Sequence, residues 1–272
     1  MTEALDDLVG LLDLEPIEVN IFRGAQPDPD ERRQRVFGGQ VAGQALVAAA
    51  RTVETDRAVH SLHAYFLRPG DTSVPILYEV DRIRDGKSFT TRRVVAIQHG
   101  KPIFNLQASF QCGEQGLDHQ QPMPDVPDPG TLQTVIPERI SPIDLRHVEP
   151  PFWHAPDQPE RDYQRVWFRT AGPLADDPVL HACVVTYVSD LTLLDTTLLP
   201  HRRSSADQVM QMASLDHAMW FHRPFRADDW LLYDQATPSA SSARGLARGS
   251  IFTRDGQLAV SVVQEGLIRT RA

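Results

Sequence analysis

The sequence of 272 residues contains only two cysteines, Cys112 and Cys183, and they do not form a CxxC pair. Neither a disulfide framework nor a zinc knuckle can be built from them within one chain. We therefore expect both thiols to be reduced and buried. No residue pattern calls for a bound metal or a cofactor, and we predict neither.

Positive charge is scarce, since 27 Lys and Arg residues stand against 36 Asp and Glu residues and give a net charge of −9. No basic block is present, and duplex binding depends on neutralising phosphates, so we expect no nucleic-acid partner. An anionic ligand would have to meet local positive charge. Candidate residues for that contact, none assigned individually, are Arg68, Arg92, Arg93, Arg223, Arg244 and Arg248.

Long hydrophobic runs are missing as well. The longest apolar stretches, 45–50 and 182–185, fall far short of the ~20 residues that span a bilayer. The first residues read MTEALDD, which is acidic where a secretory signal would be basic. We expect no membrane span and a cytoplasmic location.

An internal repeat organises what is present. The segment AYFLRP at 64–69 is echoed by MWFHRP at 219–224, which lies 155 residues later. The same offset maps Leu77 and Tyr78 onto Leu232 and Tyr233. A repeat of this length indicates two structurally similar halves.

Each half is predicted as a helix followed by an antiparallel meander. In the first half, the alanine-rich stretch 40–53 carries little charge, which indicates a helix buried on most sides. In the second, Asp177 and Pro178 have the form of an N-cap followed by proline at the first helical position. The strand propensity of 184–186 leaves a strand there as an alternative. The predicted strands are 62–67, 76–83, 88–98 and 102–111, then 213–221, 230–238, 244–253 and 257–268.

Proline concentrates between the two halves, from residue 114 to residue 150. Such a composition is typical of a linker, and we expect it to run along the surface. The predicted organisation is an N-terminal domain at 1–113, a proline-rich linker at 114–150 and a C-terminal domain at 151–272.

Several long motifs now suggest a family. They are VFGGQV at 36–41, SLHAYFLRPGD at 61–71, DHAMWFHRPF at 216–225, SASSARG at 239–245 and VQEG at 263–266. In this order they closely resemble the acyl-CoA thioesterase II (TesB) family. The resemblance implies an α+β tandem double hotdog, in which each half wraps a curved antiparallel sheet around a long helix. It also implies a fatty acyl-CoA substrate and a homodimer or homotetramer of the double unit.

The resemblance further implies a catalytic set of an aspartate, a threonine and a glutamine that hold the hydrolytic water. Asp190 matches the aspartate and Gln264 the glutamine, while Ser214 falls where the family usually has threonine. Serine keeps the hydroxyl but loses the methyl group that stiffens the side chain. Asp190 would act as a general base, and burial should raise its pKa towards the working range.

Without the family, each of these residues has a structural explanation. Asp190 is either the N-cap of a helix that begins at Leu191 or a mid-helix carboxylate of a helix that begins at Asp177. Gln264 is a hydrogen-bonded structural amide, or else the opposite strand phase buries Glu265. A serine at the start of a strand, such as Ser214, is ordinarily a turn residue.

The repeat offers an independent comparison. At the repeat offset Ser214 corresponds to Val59, and with one residue of slip Gln264 corresponds to Ala108. No acidic residue occurs from 36 to 53 in the first half. The polar trio is therefore confined to the second half, which favours a functional role over a general structural one.

Other chemistries lack their motifs. No G-x-S-x-G pattern of a serine hydrolase and no phosphate-binding glycine loop is present, so Gly38, Gly39 and Gly43 are better explained by close helix packing. The histidine pairs 60/63 and 217/222 have odd spacings on strands, which disfavours metal ligation. Two rivals stay open: a non-catalytic acyl-CoA sensor and a hotdog enoyl-CoA hydratase.

Overall fold

The computed structural model describes residues 2–25, 35–134, 141–151 and 160–271. The helices are α1 (Glu3–Leu12), α2 (Gly38–Ala50) and α3 (Pro178–Ser189), and the 3-10 helices are Pro129–Thr131 and Leu194–His201.

The described strands form one sheet in which neighbouring strands run antiparallel. The strands are β1 (Glu15–Glu18), β2 (Ile21–Gly24), β3 (Arg57–Phe66), β4 (Ile76–Asp85), β5 (Phe89–Gln98), β6 (Lys101–Cys112), β7 (Ile143–His147), β8 (Tyr163–Thr170), β9 (Met210–Ser214), β10 (Asp216–Phe221), β11 (Leu231–Ser241), β12 (Arg244–Thr253) and β13 (Leu258–Thr270). Their order is β1-β2-β4-β5-β6-β3-β10-β13-β12-β11-β8-β7, and β9 pairs with β13. The strands β3 and β10 therefore join the two halves of the chain.

Helix α2 lies at the centre of the first half, as the alanine-rich stretch predicted. Every residue from Gly39 to Ala49 is buried, so the sheet and the other helices cover the helix on nearly all sides. The predicted helix continued to Val53, but α2 ends at Ala50. Thr52 then donates its hydroxyl to the Ala49 carbonyl, which closes the end of the helix.

Helix α3 begins where the sequence predicted, and the alternative of a strand at 184–186 is wrong. The Asp177 carboxylate accepts a hydrogen bond from the Val179 backbone N–H at 2.9 Å, with Pro178 at the first helical position. Ala182, Cys183, Val184 and Val185 are all buried in the core. Tertiary burial therefore overrides the local preference of the valines for a strand.

The predicted strands agree with β3 to β6 and β10 to β13 to within a few residues, with one difference. The run 213–221 is two strands, β9 and β10, separated at Leu215. The Leu215 N–H donates to the Glu265 carbonyl, while its own carbonyl accepts from the Phe66 N–H. The chain at Leu215 thus passes from the edge pairing of β9 to the central pairing of β10 with β3.

Among the described α-helices and strands, five were not predicted, namely α1, β1, β2, β7 and β8, and neither of the two 3-10 helices was predicted. Strand β1 is exposed at all four residues and contains Pro16, so it carries no alternating pattern. Strand β7 lies inside the predicted linker, which is therefore not free of regular structure. The start of this segment does run over the surface: residues 113–122 are exposed, and Gln121 donates to the Ser250 hydroxyl.

One helical stretch in the described residues, Pro178–His201, is long and apolar enough by composition to be considered as a membrane span. It has 24 residues and a mean hydropathy of 1.3 in its most apolar window. However, 78% of that window is buried inside the fold. Its apolar side chains are therefore those of a core helix. The search for long uninterrupted apolar runs did not identify this stretch, because polar residues interrupt it.

Glycines allow α2 and α3 to pack at unusually short range. A Cβ atom on Gly39 would lie 2.3 Å from the Tyr187 carbonyl oxygen of α3, and one on Gly43 would lie 3.2 Å from the Cys183 carbonyl oxygen. The sequence interpretation of these glycines as packing residues is confirmed. No side chain larger than hydrogen fits at Gly39 without separating the two helices.

We predict that Gly39→Ala lowers the free energy of unfolding by about 1 to 3 kcal/mol, because the added methyl group meets backbone rather than a movable side chain. Gly10→Ala is the matched control, since a Cβ atom at Gly10 of α1 meets nothing within 4 Å. That control should leave stability unchanged or raise it by up to about 1 kcal/mol. Urea denaturation of both variants measures the difference, and equal stabilities would contradict the packing argument.

Candidate active site

The three residues predicted from the sequence converge on one carboxylate oxygen. The Ser214 hydroxyl donates to Asp190 Oδ1 at 3.1 Å, and the Gln264 amide Nε2 donates to the same oxygen at 2.5 Å. The three side chains come from the end of α3, the end of β9 and the middle of β13. Residues as far apart in sequence as 190 and 264 thus form one hydrogen-bonded cluster.

Asp190 occupies neither of the two positions that sequence reasoning considered. It is the C-cap of α3, with φ −89° and ψ −3°, and a turn leads from it to the 3-10 helix Leu194–His201. The Leu191 N–H donates to the Val188 carbonyl, so the helix tightens and ends there. The alternatives of Asp190 as the N-cap of a helix beginning at Leu191 and of Asp190 as a mid-helix carboxylate are both wrong.

The strands bring the other two side chains to this position. Gln264 is fully buried on β13 and shares the inner face with Val260 and Val262, so the predicted phase that buries Gln264 is correct. Glu265 points outward and pairs with Arg244. Ser214 is the register partner of Gly266, so it lies beside Gln264 at the edge of the core.

The N-terminus of α2 completes the surroundings of the carboxylate. The Gly39 backbone N–H donates a hydrogen bond to the Asp190 side chain. A Cβ atom on Gly38 would lie 2.6 Å from Asp190 Oδ2, so only glycine leaves room for the carboxylate here. A helix N-terminus favours negative charge, and α2 therefore stabilises the ionised form of Asp190.

Two opposing effects set the titration of Asp190. Burial raises the pKa of its carboxyl from the ordinary 3.8 to about 6, because the charged form loses its hydration. The hydrogen bonds from Gln264, Ser214 and Gly39, and the charge of Arg35, each lower the pKa and limit the rise. The result is a carboxylate that is ionised at neutral pH and more basic than an exposed aspartate.

Gln264 leaves a hydrogen-bond acceptor free beside this carboxylate. Its Oε1 atom is buried and has no partner among the described residues. A buried amide oxygen is ordinarily satisfied, and a water molecule is its usual partner where protein groups do not reach it. The arrangement therefore offers a water molecule two acceptors, the Asp190 carboxylate and the Gln264 carbonyl oxygen.

Sequence reasoning missed two charged residues near the site. Burial raises the pKa of Asp195 to about 6, and the Ser205 hydroxyl, 3.3 Å from its Oδ2 atom, lowers it. The negative charge of Asp190 raises it further. Arg35 donates to the Met212 carbonyl oxygen at 2.6 Å on β9. No periodic pattern marks either residue, because both lie outside regular α-helices and strands.

The arginines considered for anion binding mostly have partners within the fold. The buried Arg92 pairs with the exposed Asp85, while Arg93 pairs with Asp81 and Arg244 with Glu265. Arg223 pairs with Asp118, and Arg68 donates to the Pro102 carbonyl. Among the residues that the structure describes, no group of three His, Cys, Asp or Glu side chains is close enough to hold a metal ion.

Comparison with known proteins relates this arrangement to others. A family model described as acyl-CoA thioesterase matches residues 150–267, and one described as acyl-CoA thioesterase N-terminal domain matches residues 27–111. Acyl-coenzyme A thioesterase 8 of Mus musculus is 44% identical, over 97% of this chain and 89% of its own length. Acyl-CoA thioesterase 2 of Haemophilus influenzae is 39% identical over 99% of both chains.

Solved structures agree with these relatives. The acyl-CoA thioesterase II TesB2 of Mycobacterium marinum superimposes with a TM-score of 0.85 and 50% identity, over 97% of this chain and 99% of that one. A hotdog-fold protein of Alicyclobacillus acidocaldarius, at 19% identity, has a TM-score of 0.81 over 100% of both chains and supports the fold alone. The fold is therefore a hotdog fold, and this chain belongs to the acyl-CoA thioesterase family.

Proposed function

We propose that this thioesterase hydrolyses fatty acyl-CoA to free fatty acid and coenzyme A, with Asp190 as the general base. The observation that carries the proposal is the partly dehydrated Asp190 carboxylate, held by Ser214 and Gln264 and raised in pKa to about 6. A base with a pKa near the working pH is the most effective at accepting a proton in the transition state.

The reaction follows from the free acceptors of the site. A water molecule donates one hydrogen bond to Asp190 and one to Gln264 Oε1, which directs an oxygen lone pair at the thioester carbonyl. Asp190 accepts the proton as the C–O bond forms, and the tetrahedral intermediate then expels the thiolate. The proton passes from Asp190 to the departing sulfur, and no covalent enzyme intermediate forms.

The contacts refine the roles of two groups. Ser214 donates its only hydroxyl hydrogen to Asp190, so it positions the base and does not donate to the water. The backbone N–H of Gly39 donates to Asp190, so it supports the base and is not available to stabilise the oxyanion.

We further propose that the chain is a tandem of two hotdog units at 1–113 and 151–272. Copies of this double unit assemble as a homodimer or a homotetramer. The strand order supports the tandem, since β2-β4-β5-β6-β3 in one half matches β8-β11-β12-β13-β10 in the other. The helices α2 and α3 hold corresponding central positions. Strand β7 extends the second unit back to Ile143, which shortens the linker. A cytoplasmic location stays a prediction.

Two other functions are separated from hydrolysis by one assay. A non-catalytic acyl-CoA sensor would bind acyl-CoA without releasing thiol, and an enoyl-CoA hydratase would add water across the double bond of an enoyl-CoA. Detection of free thiol with saturated and enoyl substrates of graded length separates hydrolysis from both, and a hydrated product from the enoyl substrates separates the hydratase from the sensor. The unpaired Gln264 Oε1 favours hydrolysis, because a sensor has no need to hold a water molecule at a basic carboxylate.

We predict that Asp190→Asn lowers kcat/KM by about 10²-fold to 10⁴-fold, the range that general-base catalysis supplies. The activity of the unmutated protein should fall as the pH drops through about 6, because protonation removes the base. Thiol release measured from pH 4.5 to 9 tests both statements. Normal turnover by a folded Asp190→Asn protein would show that another group activates the water.

The same substitution should stabilise the fold. The folded-state pKa of Asp190 lies above its ordinary value, so the contribution of this group to stability is lost as the pH rises through about 6. Asparagine carries no charge, so Asp190→Asn should raise the free energy of unfolding at pH 7.5 by about 1 to 3 kcal/mol, at the lower end if solvent screens the charge.

The gain in stability should disappear near pH 4, where Asp190 is protonated in the folded protein. Urea denaturation at pH 7.5 and pH 4 measures it. Asp7→Asn, on the exposed face of α1, controls for the loss of one negative charge. A variant that is less stable than the unmutated protein at pH 7.5 would contradict the account of a costly buried charge.

Ser214→Thr should retain activity and raise kcat by up to about threefold, because a β-branched side chain populates fewer rotamers and holds its hydroxyl more firmly. Ser214→Ala should lower kcat by about tenfold, since Asp190 loses a donor. Steady-state kinetics of the two variants with one acyl-CoA substrate compare them directly. Equal activity of the alanine and serine proteins would remove Ser214 from the mechanism.

A further inference from the structure

The residue that precedes Asp190 is held unusually firmly. Ser189 is fully buried at the last position of α3, and its carbonyl oxygen accepts a hydrogen bond from the Tyr233 hydroxyl at 3.1 Å. Its own hydroxyl contacts the Thr186 carbonyl at 2.9 Å and His217 Nε2 at 2.8 Å. The carbonyl of Ser189 is thus bonded to strand β11, and its hydroxyl contacts strand β10 and α3.

These contacts matter because helices end with unpaired carbonyl groups. The last carbonyls of an α-helix have no partner within the helix, and a buried one needs a partner from elsewhere. Tyr233 supplies it for Ser189. The carbonyl of Ser189 belongs to the peptide group that leads into Asp190, so fixing its direction also fixes where the Asp190 side chain leaves the helix.

His217 holds the other side of Ser189. Its side chain is buried, and burial lowers the pKa of His217 to about 4, so it is neutral. When Ser189 donates its single hydroxyl hydrogen to Thr186, the contact with His217 requires Nε2 to carry the imidazole proton. That tautomer leaves Nδ1 as an acceptor, and Nδ1 has no partner among the described residues.

Neighbouring residues pack closely around the Tyr233 ring. A Cβ atom on Gly249 of β12 would lie 2.2 Å from Cε2 of the ring, so only glycine leaves room for this edge of the ring. Phe168 also packs against the ring in an edge-on arrangement, at 6.4 Å between ring centroids. Burial, and then the charge of Asp190, raise the pKa of Tyr233, which keeps its hydroxyl protonated as a donor.

The repeat supplies a counterpart without this role. Tyr78 stands 155 residues earlier, is equally buried and lies on β4 as Tyr233 lies on β11. Its hydroxyl donates to Gln44 Oε1 at 2.7 Å in the middle of α2, and Gln44 donates in turn to the carbonyls of Leu11 and Ala25. Tyr78 therefore ties a central helix to the N-terminal segment, whereas Tyr233 ties one to the peptide beside a carboxylate.

We propose that Tyr233 and His217 form a clamp on Ser189 that positions Asp190 for catalysis. This inference rests on the proposed role of Asp190 as the general base. Neither residue touches the water or the substrate in this scheme. They act through Ser189, and both are therefore positioning residues.

The test compares Tyr233→Phe with Tyr78→Phe, two substitutions that each remove one oxygen from equivalent buried tyrosines. Tyr233→Phe should lower kcat about tenfold and change KM less than twofold. Its acidic midpoint in the pH dependence of kcat/KM should move to lower pH, because a less constrained carboxylate regains hydration. Tyr78→Phe should leave kcat and that midpoint unchanged, although both variants lose stability.

Other groups near Asp190 do not account for such a shift. The charged and titratable groups around it in the described residues are Arg35 before α2, Asp195 on the 3-10 helix, Tyr233 on β11 and His217 on β10. Tyr233→Phe exchanges one neutral side chain for another. A moved midpoint therefore reports a change in the position or hydration of Asp190.

Ser189→Ala is the second test variant, and it decides the question if Tyr233→Phe does not fold. It removes the hydroxyl that meets His217 and should lower kcat about threefold, with a shift of the midpoint in the same direction. Unchanged kcat and midpoint in the folded clamp variants, or equal losses in Tyr233→Phe and Tyr78→Phe, would overturn the clamp. Full activity of Asp190→Asn would instead overturn the proposed function.

Discussion

The site depends on the meeting of two helix ends, where the N-terminus of α2 faces the C-terminal cap of α3. Gly39 brings its N–H to the Asp190 carboxylate, and the missing side chain of Gly38 leaves the carboxylate its space. A carboxylate at the C-terminus of its own helix is unfavourable, because the carbonyl end of a helix carries partial negative charge. The dipole of α2 offsets that cost, which only close packing of the two helices allows.

The opposite end of the helix pair follows the usual electrostatic rules. There Arg51, a cation, is the C-cap of α2, and Asp177, an anion, is the N-cap of α3. Burial raises the pKa of the Cys183 thiol, the charge of Asp177 raises it further, and the charge of Arg51 lowers it. Arg51 also contacts Asp13 and the Leu14 carbonyl, so this end is a closed structural junction. One end of the helix pair thus holds the Asp190 carboxylate, and the other end stabilises the fold.

Much of this arrangement could be predicted from the sequence, where patterns are strong. The alanine-rich stretch predicted α2, and the Asp177-Pro178 pair predicted the start of α3. The resemblance to the family identified Asp190, Ser214 and Gln264, whose side chains meet in the structure. The end of α3 could not be predicted, because neither glycine nor proline follows Asp190 and the 3-10 helix continues the apolar sequence. The short strands β1 and β7 were missed because pairing, not periodicity, makes them strands.

The side chains around Asp190 were beyond prediction for a different reason. Arg35, Asp195 and Tyr233 are each placed by long-range contacts, and a hydrogen bond between distant residues leaves no local pattern. Tyr233 illustrates the limit, since the repeat pairs it with Tyr78 and thereby marks both as structural. Only the geometry separates them, because one hydroxyl meets an amide within a helix and the other meets the peptide next to a carboxylate.

The titration of Asp190 shows why the site needs so many donors. Burial alone would favour the protonated acid, which cannot accept a proton from water. The hydrogen bonds from Gln264, Ser214 and Gly39 return the pKa to about 6, where the carboxylate is ionised at neutral pH and still more basic than in water. Each donor therefore orients the Asp190 carboxylate and also adjusts its pKa. A substitution that removes a donor changes both properties, so reactivity at this carboxylate cannot be separated from its position.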